Sequence, residues 1–259
     1  MKASGIPSHE RSFYRTGRDS QGKQFVLSPQ SIATGDGETM NYLDCVRQNQ
    51  DDSFYYEEVE NKTKIVLHFT AGYLKGDIAQ LTMPSNHVSV PFVIARDGTI
   101  LKLWPSKYWS YHLGRGAIGG NTTMSKQTIG IELSNIGFLK KNGSNLVSVY
   151  SNTDVYCNLN ETNFYTKLDT PFRKENYFAT YTQKQYHSLS ILLKYLTNTY
   201  NIPRNFLPVN KRYATLSRND VESFNGILSH INYRESGKWD IGEAFEWDNI
   251  IQSINGSVV

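Results

Sequence analysis

The sequence predicts an α/β fold, a central mixed β-sheet flanked by helices, and three observations carry that prediction. Two apolar runs of strand length, residues 64–70 (KIVLHFT) and 128–134 (TIGIELS), are bounded by polar segments, as buried strands are. Residues 89–95 (SVPFVIA) and 99–104 (TILKLW) flank Arg96-Asp97-Gly98, the strand, Asp-Gly turn and strand of a hairpin. From Thr182, Tyr186, Leu189, Leu192, Leu193, Leu196 and Tyr200 recur at three and four positions and stop before Pro203. That is an amphipathic helix with an N-cap and a terminator, and it is expected to pack on one face of the sheet.

The remaining elements follow in chain order. Residues 1–60 are polar and rich in Gly, Ser and Gln, with DGET and NQDDS clusters that read as turns, so they are expected to be a lead-in arm. The strand at 64–70 ends at Ala71-Gly72, where a chain leaves a sheet, so its last residues should face a cleft. A short helix is expected over residues 77–83. Residues 137–178 are long, Asn-rich and weakly patterned, the signature of an inserted surface excursion of loops with one extra hairpin. Residues 226–230 (GILSH) read as a short strand, and 243–254 as a closing helix with Phe245, Trp247, Ile250 and Ile251 inward. The expected organisation is an arm at 1–60 and one domain at 61–259, interrupted by the insertion at about 137–178.

With 259 residues, 39% of them hydrophobic, the chain can bury one large core, or one core and a small appendage. A formal charge of +3 suits a polyanion such as a cell-wall polymer, yet it falls short of the basic stripe of a nucleic-acid binder. Cys45 and Cys157 lie far apart without a CxxC partner, which excludes a disulfide framework and a thiolate metal site and leaves a single bridge open. Residues 1–14 lack the apolar stretch of a secretory leader, and no later segment has the length to span a bilayer. The chain therefore reads as soluble and, by default, monomeric; a cleaved leader leaves no trace, so export stays open.

A single histidine on a buried strand, such as His68, is more often a hydrogen-bonded core residue than a ligand. His230 closes the short strand near the other end, and Asp240 follows ten residues later in Gly237-Lys238-Trp239-Asp240. Two imidazoles and one carboxylate form a three-ligand set that suits catalytic zinc and leaves a fourth position for water.

HFTAG at 68–72, VSVPFVIARDGTI at 88–100, YHLGRG at 111–116, TIGIEL at 128–133 and the His230-x9-Asp240 pair with Lys238 occur in that order. In this order they resemble the type 2 N-acetylmuramoyl-L-alanine amidases, a family related to phage zinc amidase lysozymes and to peptidoglycan recognition proteins. The resemblance spans roughly residues 64–136 and 182–252 and leaves the arm and the insertion unexplained. It implies an amidase-like fold with zinc at the strand ends, held by His68, His230 and Asp240, and a catalytic domain at 61–259. The implied reaction is hydrolysis of the amide between N-acetylmuramic acid and L-alanine, in peptidoglycan or in soluble muropeptides. Zinc would polarise the carbonyl and lower the pKa of bound water to ~7. Glu132 is implied as the proton shuttle, Lys238 as the cation that steadies the oxyanion, and His112 as a substrate-side donor.

The chain departs from the family pattern in a few places. Val90 stands where many relatives have a tyrosine near the metal, which disfavours a tyrosine-assisted variant. Glu132 with Lys238, and aspartate rather than cysteine as third ligand, resembles the muropeptide-recycling branch and its secreted cousins. Phe69, Ser229 and Ile241 also differ, and none removes a group the chemistry needs. His9, His87 and His187 have no motif support and are expected at the surface or in packing, while Trp104, Tyr108, Trp109 and Tyr111 either line a sugar-peptide groove or fill core. The rival from another class is a peptidoglycan-binding module without catalysis; such modules usually lack a ligand, and here the trio is complete. A zinc peptidase of another fold is disfavoured because the chain has no HExxH helix.

Overall fold

The computed structural model describes residues 1–259. Its first part contains α1 (Ile6–Thr16), β1 (Phe25–Ala33), β2 (Thr39–Arg47), β3 (Lys64–Phe69), α2 (Leu74–Leu81), β4 (Phe92–Ile94) and β5 (Ile100–Lys102). Next come α3 (Asn121–Gln127), β6 (Thr128–Leu133), β7 (Phe138–Asn142), β8 (Asn145–Ser148), β9 (Val155–Asn158), β10 (Tyr165–Phe172) and β11 (Glu175–Ala179). The last part holds α4 (Gln183–Tyr200), β12 (Asn205–Phe206), α5 (Val209–Arg212), α6 (Arg218–Ser223), β13 (Gly226–Ser229), α7 (Trp247–Ser253) and β14 (Ser257–Val258). A nine-stranded sheet runs β1-β2-β5-β4-β6-β3-β13-β12-β14, and a five-stranded sheet runs β10-β11-β7-β8-β9.

The large sheet is mixed, as expected. Its centre is parallel, β4-β6-β3-β13-β12, while the β4–β5 and β1–β2 pairs are antiparallel. Side chains alternate across a strand, so Ile65 and Leu67 of β3 join Ile129, Ile131 and Leu133 of β6 beneath Leu189, Leu192, Leu193 and Leu196 of α4. The same alternation turns His68 and Glu132 to the opposite face, together with Val66 and Gly130. The helix that fills one face thus decides which residues are left for the other.

Helix α4 begins as its sequence dictates. Thr182 Oγ1 accepts from the Gln185 amide at 3.1 Å and Gln185 Oε1 accepts from the Thr182 amide at 3.2 Å, a reciprocal cap. It ends at Asn201, which takes a left-handed φ of 53° two residues before Pro203.

Several local expectations need correction. Residues 1–60 supply α1 and a β1–β2 hairpin that extends the main sheet through β2–β5, with Phe13, Phe25, Met40 and Cys45 buried. The hairpin strands are largely exposed, so their alternation is weak in the sequence; the turn is tied down by Arg204 to Asp36 at 2.6 Å and Asn198 to the Thr34 carbonyl at 2.8 Å. Residues 137–178 form the whole second sheet rather than one hairpin, because Leu139, Leu146, Tyr156 and Ala179 bury together against Ile6 and Ile136. Helix α2 starts three residues earlier than expected and the closing helix is shorter. Both cysteines are free and buried in separate clusters, so there is no bridge. No helix is long and apolar enough to cross a membrane.

The packing under α4 predicts that Leu193→Ala lowers unfolding free energy by ~2–5 kcal/mol. Thr182→Ala, which removes the cap and the 2.6 Å hydrogen bond from Thr182 Oγ1 to the Arg96 carbonyl, should cost about 1–2 kcal/mol. Urea denaturation of both variants checks the order; equal losses would contradict this account of the helix.

Candidate metal centre

Three strands converge on one point of the face opposite α4. The β3–β13 register pairs Leu67 with Ser229, so His230, the first residue past β13, emerges beside His68. Ser229 caps the following 3-10 turn (His230–Tyr233) with Asn232, which orders the backbone that carries His230. Asp240 arrives on a loop whose carbonyl accepts from the Ile231 amide at 2.9 Å. The result is a close triangle: His68 Nδ1 to His230 Nδ1 2.9 Å, His230 Nδ1 to Asp240 Oδ2 2.9 Å, and His68 Nδ1 to Asp240 Oδ2 3.2 Å. All three residues are buried.

The surrounding hydrogen bonds assign the tautomers. His230 Nε2 lies 2.9 Å from the Leu113 carbonyl, which can only accept, so Nε2 carries the proton and Nδ1 the lone pair. Thr128 Oγ1 donates to the Met124 carbonyl at 2.7 Å and therefore accepts from His112 Nε2 at 2.8 Å. That leaves His112 Nδ1 as the acceptor for His68 Nε2–H at 3.0 Å, and His68 Nδ1 also keeps its lone pair. Gly130 makes room for this chain, since a Cβ there would lie 2.6 Å from Val90 Cγ1 and 3.0 Å from the His112 ring.

Burial, with His230 close by, pushes the His68 pKa down to about 4. Burial alone would raise Asp240, but attraction to His230 and His68 whenever a ring takes up a proton on its Asp240 side holds it well below the usual carboxylate range. In the neutral tautomers the outer hydrogen bonds select, two lone pairs and a carboxylate face one another, an arrangement that repels itself unless a cation lies among them. The donor set, two imidazole nitrogens and one carboxylate oxygen within 4.8 Å of one another, fits a divalent ion of zinc type, with each imidazole anchored through its far nitrogen.

Glu132 is the direct partner of His68 in the β3–β6 register. Its Oε2 is buried without a hydrogen-bond partner. Burial, reinforced by Asp240 and Asp77, raises its pKa well above the ordinary value, while Lys238 opposes the rise. A cation in the triangle would favour the carboxylate in the same way. Lys238 lines the same cleft, about 370 Å³ in volume, with Val88 and Tyr111 on one side and Phe138, Tyr150 and Trp239 on the other.

The structure brings His68, His230 and Asp240 into one cluster and sets Glu132, Lys238 and His112 around the same cleft. Both His112 nitrogens are engaged by His68 and Thr128, so a hydrogen bond from His112 to a substrate is closed while this chain holds. Trp104 and Tyr108 pack with the core beneath the sheet, whereas Tyr111 walls the cleft, set edge-on to Tyr56 and Trp109. His87 packs against Tyr56, its ring stacked at 4.0 Å, as expected of it; sequence reasoning missed the cleft walls given by Phe138 and Tyr150 of the 137–178 segment. It also missed a second cavity of about 470 Å³ that shares Thr70, Ala71, Glu132 and Tyr150 with the cleft and is lined by His9 and Asp77. Only the aromatic content of 137–178 hinted at any of this.

The family model described as N-acetylmuramoyl-L-alanine amidase matches residues 59–243. No curated protein sequence matches the chain. Among solved structures, the Escherichia coli amidase AmiD, complexed with its substrate anhydro-N-acetylmuramic acid-L-Ala-D-gamma-Glu-L-Lys, is similar at 21% identity and a TM-score of 0.50. That alignment covers 78% of this chain and 60% of the AmiD chain, so the chain spans less than two thirds of that relative. The Pseudomonas aeruginosa protein AmpDh3, complexed with anhydromuramic pentapeptide, gives 16% identity, a TM-score of 0.46, and coverage of 76% and 61%. The Clostridium intestinale endolysin LysCS gives 17% identity, a TM-score of 0.42, and coverage of 78% and 91%. At these identities the likeness to solved structures is one of fold. The family match covers well over half of the chain and runs from before His68 to past Asp240, and by it the chain belongs to the N-acetylmuramoyl-L-alanine amidase family.

Proposed function

We propose that the chain is a zinc-dependent N-acetylmuramoyl-L-alanine amidase that cleaves the amide joining N-acetylmuramic acid to L-alanine in peptidoglycan or muropeptides. The observation that carries this reading is the convergence of three lone-pair donors next to an unpartnered buried carboxylate in one cleft. His68 Nδ1, His230 Nδ1 and Asp240 Oδ2 would hold zinc. When bound, zinc supplies Lewis acidity toward a carbonyl oxygen and brings the pKa of water down to ~7. Glu132 takes the proton from the attacking water and returns it to the L-alanine nitrogen as the C–N bond breaks, a role supported by its orphaned Oε2 and raised pKa. Lys238 offers its ammonium to the oxyanion that develops on the carbonyl. His112 holds His68 in the tautomer that presents Nδ1, which the chain to Thr128 and Met124 supports better than a substrate contact.

In this reading residues 61–259 are the catalytic unit, with the 137–178 insertion forming one cleft wall and residues 1–60 carrying His9 to the adjoining cavity. The muropeptide ligands of AmiD and AmpDh3 support fragments of this kind as substrates. Mass spectrometry after incubation with sacculi and with soluble muropeptides tests the reaction, since amidase action releases peptides with a free L-alanine amino terminus. Intact muramyl-peptide bonds in both substrates would overturn it.

Removal of metal by a chelator should abolish turnover, and added zinc should restore it. His68→Ala and Asp240→Ala are expected to lose zinc; equal metal content in Asp240→Ala and the parent would refute the ligand set. Glu132→Gln should keep its zinc yet lose about 10²–10⁴-fold in kcat, and Lys238→Ala about 10²–10³-fold. His112→Ala should weaken zinc binding by about 10–100-fold in a competition titration, the usual cost of losing an outer partner of a ligand.

A further inference from the structure

We infer that Arg173, at the tip of the β10–β11 hairpin, is a positioning residue: it clamps the loop that carries Lys238 and Asp240 so that Asp240 meets the two histidines. The inference rests on the proposed reading of Asp240 as a metal ligand.

Three residues around Asp240, namely Lys238, Trp239 and Gly242, are seated on the second sheet, while Ile241 is buried in the main core. Arg173 Nη1 donates to the Lys238 carbonyl, and the Trp239 indole N–H donates back to the Arg173 carbonyl at 3.4 Å. The Trp239 ring lies 4.6 Å from that of Phe138 on β7. On the far side of Asp240, Phe172 covers Gly242 so closely that a Cβ there would come within 2.6 Å of its ring. Lys238, Trp239 and Gly242 are thus held by Arg173, Phe138 and Phe172 of the inserted sheet, while the Asp240 carbonyl is tied to Ile231 of the 3-10 turn.

The hairpin itself is built against local preference. Phe172 pairs with Glu175 across a two-residue connection, in which Arg173 and Lys174 have φ of 48° and 74°. Two consecutive left-handed residues favour Asn-Gly, not two long basic side chains. A hairpin whose only task was to close the edge of a sheet would gain by that exchange. Here the disfavoured residue is the one whose guanidinium reaches the loop, and a strained position with a specific long-range contact points to a job outside its own turn. The guanidinium is partly desolvated, and its positive charge is attracted to the Asp240 carboxylate.

The two accounts of Arg173 diverge in the double variant Arg173→Asn, Lys174→Gly. It supplies the preferred turn and deletes the guanidinium. The melting temperature of the metal-free protein should stay level or rise. Zinc affinity in a chelator competition should fall about 10–100-fold, as for loss of an outer partner of a ligand. Amide hydrogen exchange over residues 237–241 should accelerate on the order of tenfold, as loss of a charge-assisted hydrogen bond implies. Lys174→Gly alone should match the parent in zinc affinity and exchange, and Arg173→Lys should recover part of the loss. Parental zinc affinity and exchange in the double variant would overturn the inference. So would an affinity loss that follows a fall in melting temperature, because Arg173 would then serve folding alone. A parent that binds zinc but leaves muropeptides intact would fail the amidase reading while these measurements still decide the role of Arg173.

Discussion

Burying two neutral imidazoles and a carboxylate with their lone pairs aimed at one another is the constraint around which this molecule is arranged. Charge and dipole repulsion at 2.9–3.2 Å has to be offset by something, and the surrounding hydrogen bonds prevent the simplest escape, rotation of the rings or a switch of tautomer. His230 is held by the Leu113 carbonyl, and His68 by a chain through His112 and Thr128 that ends on the Met124 carbonyl. The strain is kept local by a sheet whose other face is packed by α4. Rigidity on the one side permits unfavourable electrostatics on the other.

The same arrangement explains why the acid beside the triangle belongs on β6. A parallel register places Glu132 next to His68 with no turn or loop between them, so their separation is set by the sheet spacing. Gly130, two residues earlier on the same face, leaves the volume that the His112 ring occupies. One strand therefore supplies both an unpartnered carboxylate beside the triangle and an empty place for the His112 ring, and the pattern TIGIEL encodes both.

Much of this was legible in the sequence, for identifiable reasons. The strands at the centre and the helix over them carry strong periodic patterns and proper end signals, and His68, His230 and Asp240 were grouped because their residue types match a metal set and fall in a familiar order. The β1–β2 hairpin was not legible because its side chains are mostly solvated, leaving little alternation to read. The five-stranded sheet of residues 137–178 was missed because its strands are short and its β8–β9 and β10–β11 pairs shift register. The role of His112 lay beyond any linear reading, since it depends on which atom of Thr128 is already spoken for. The cleft walls share that character: Phe138 and Tyr150 reach the site only through long-range placement.

The donors of the triangle stand 162 and 172 residues from His68 along the chain. Their meeting requires β3 and β13 to have paired, and a contact of that span is among the last a folding chain can gain cheaply. A cation gripped there acts as a cross-link between the two ends of the fold. It recognises only the finished topology, so its binding free energy adds to the stability of the native state and to no partly folded species lacking that strand pair.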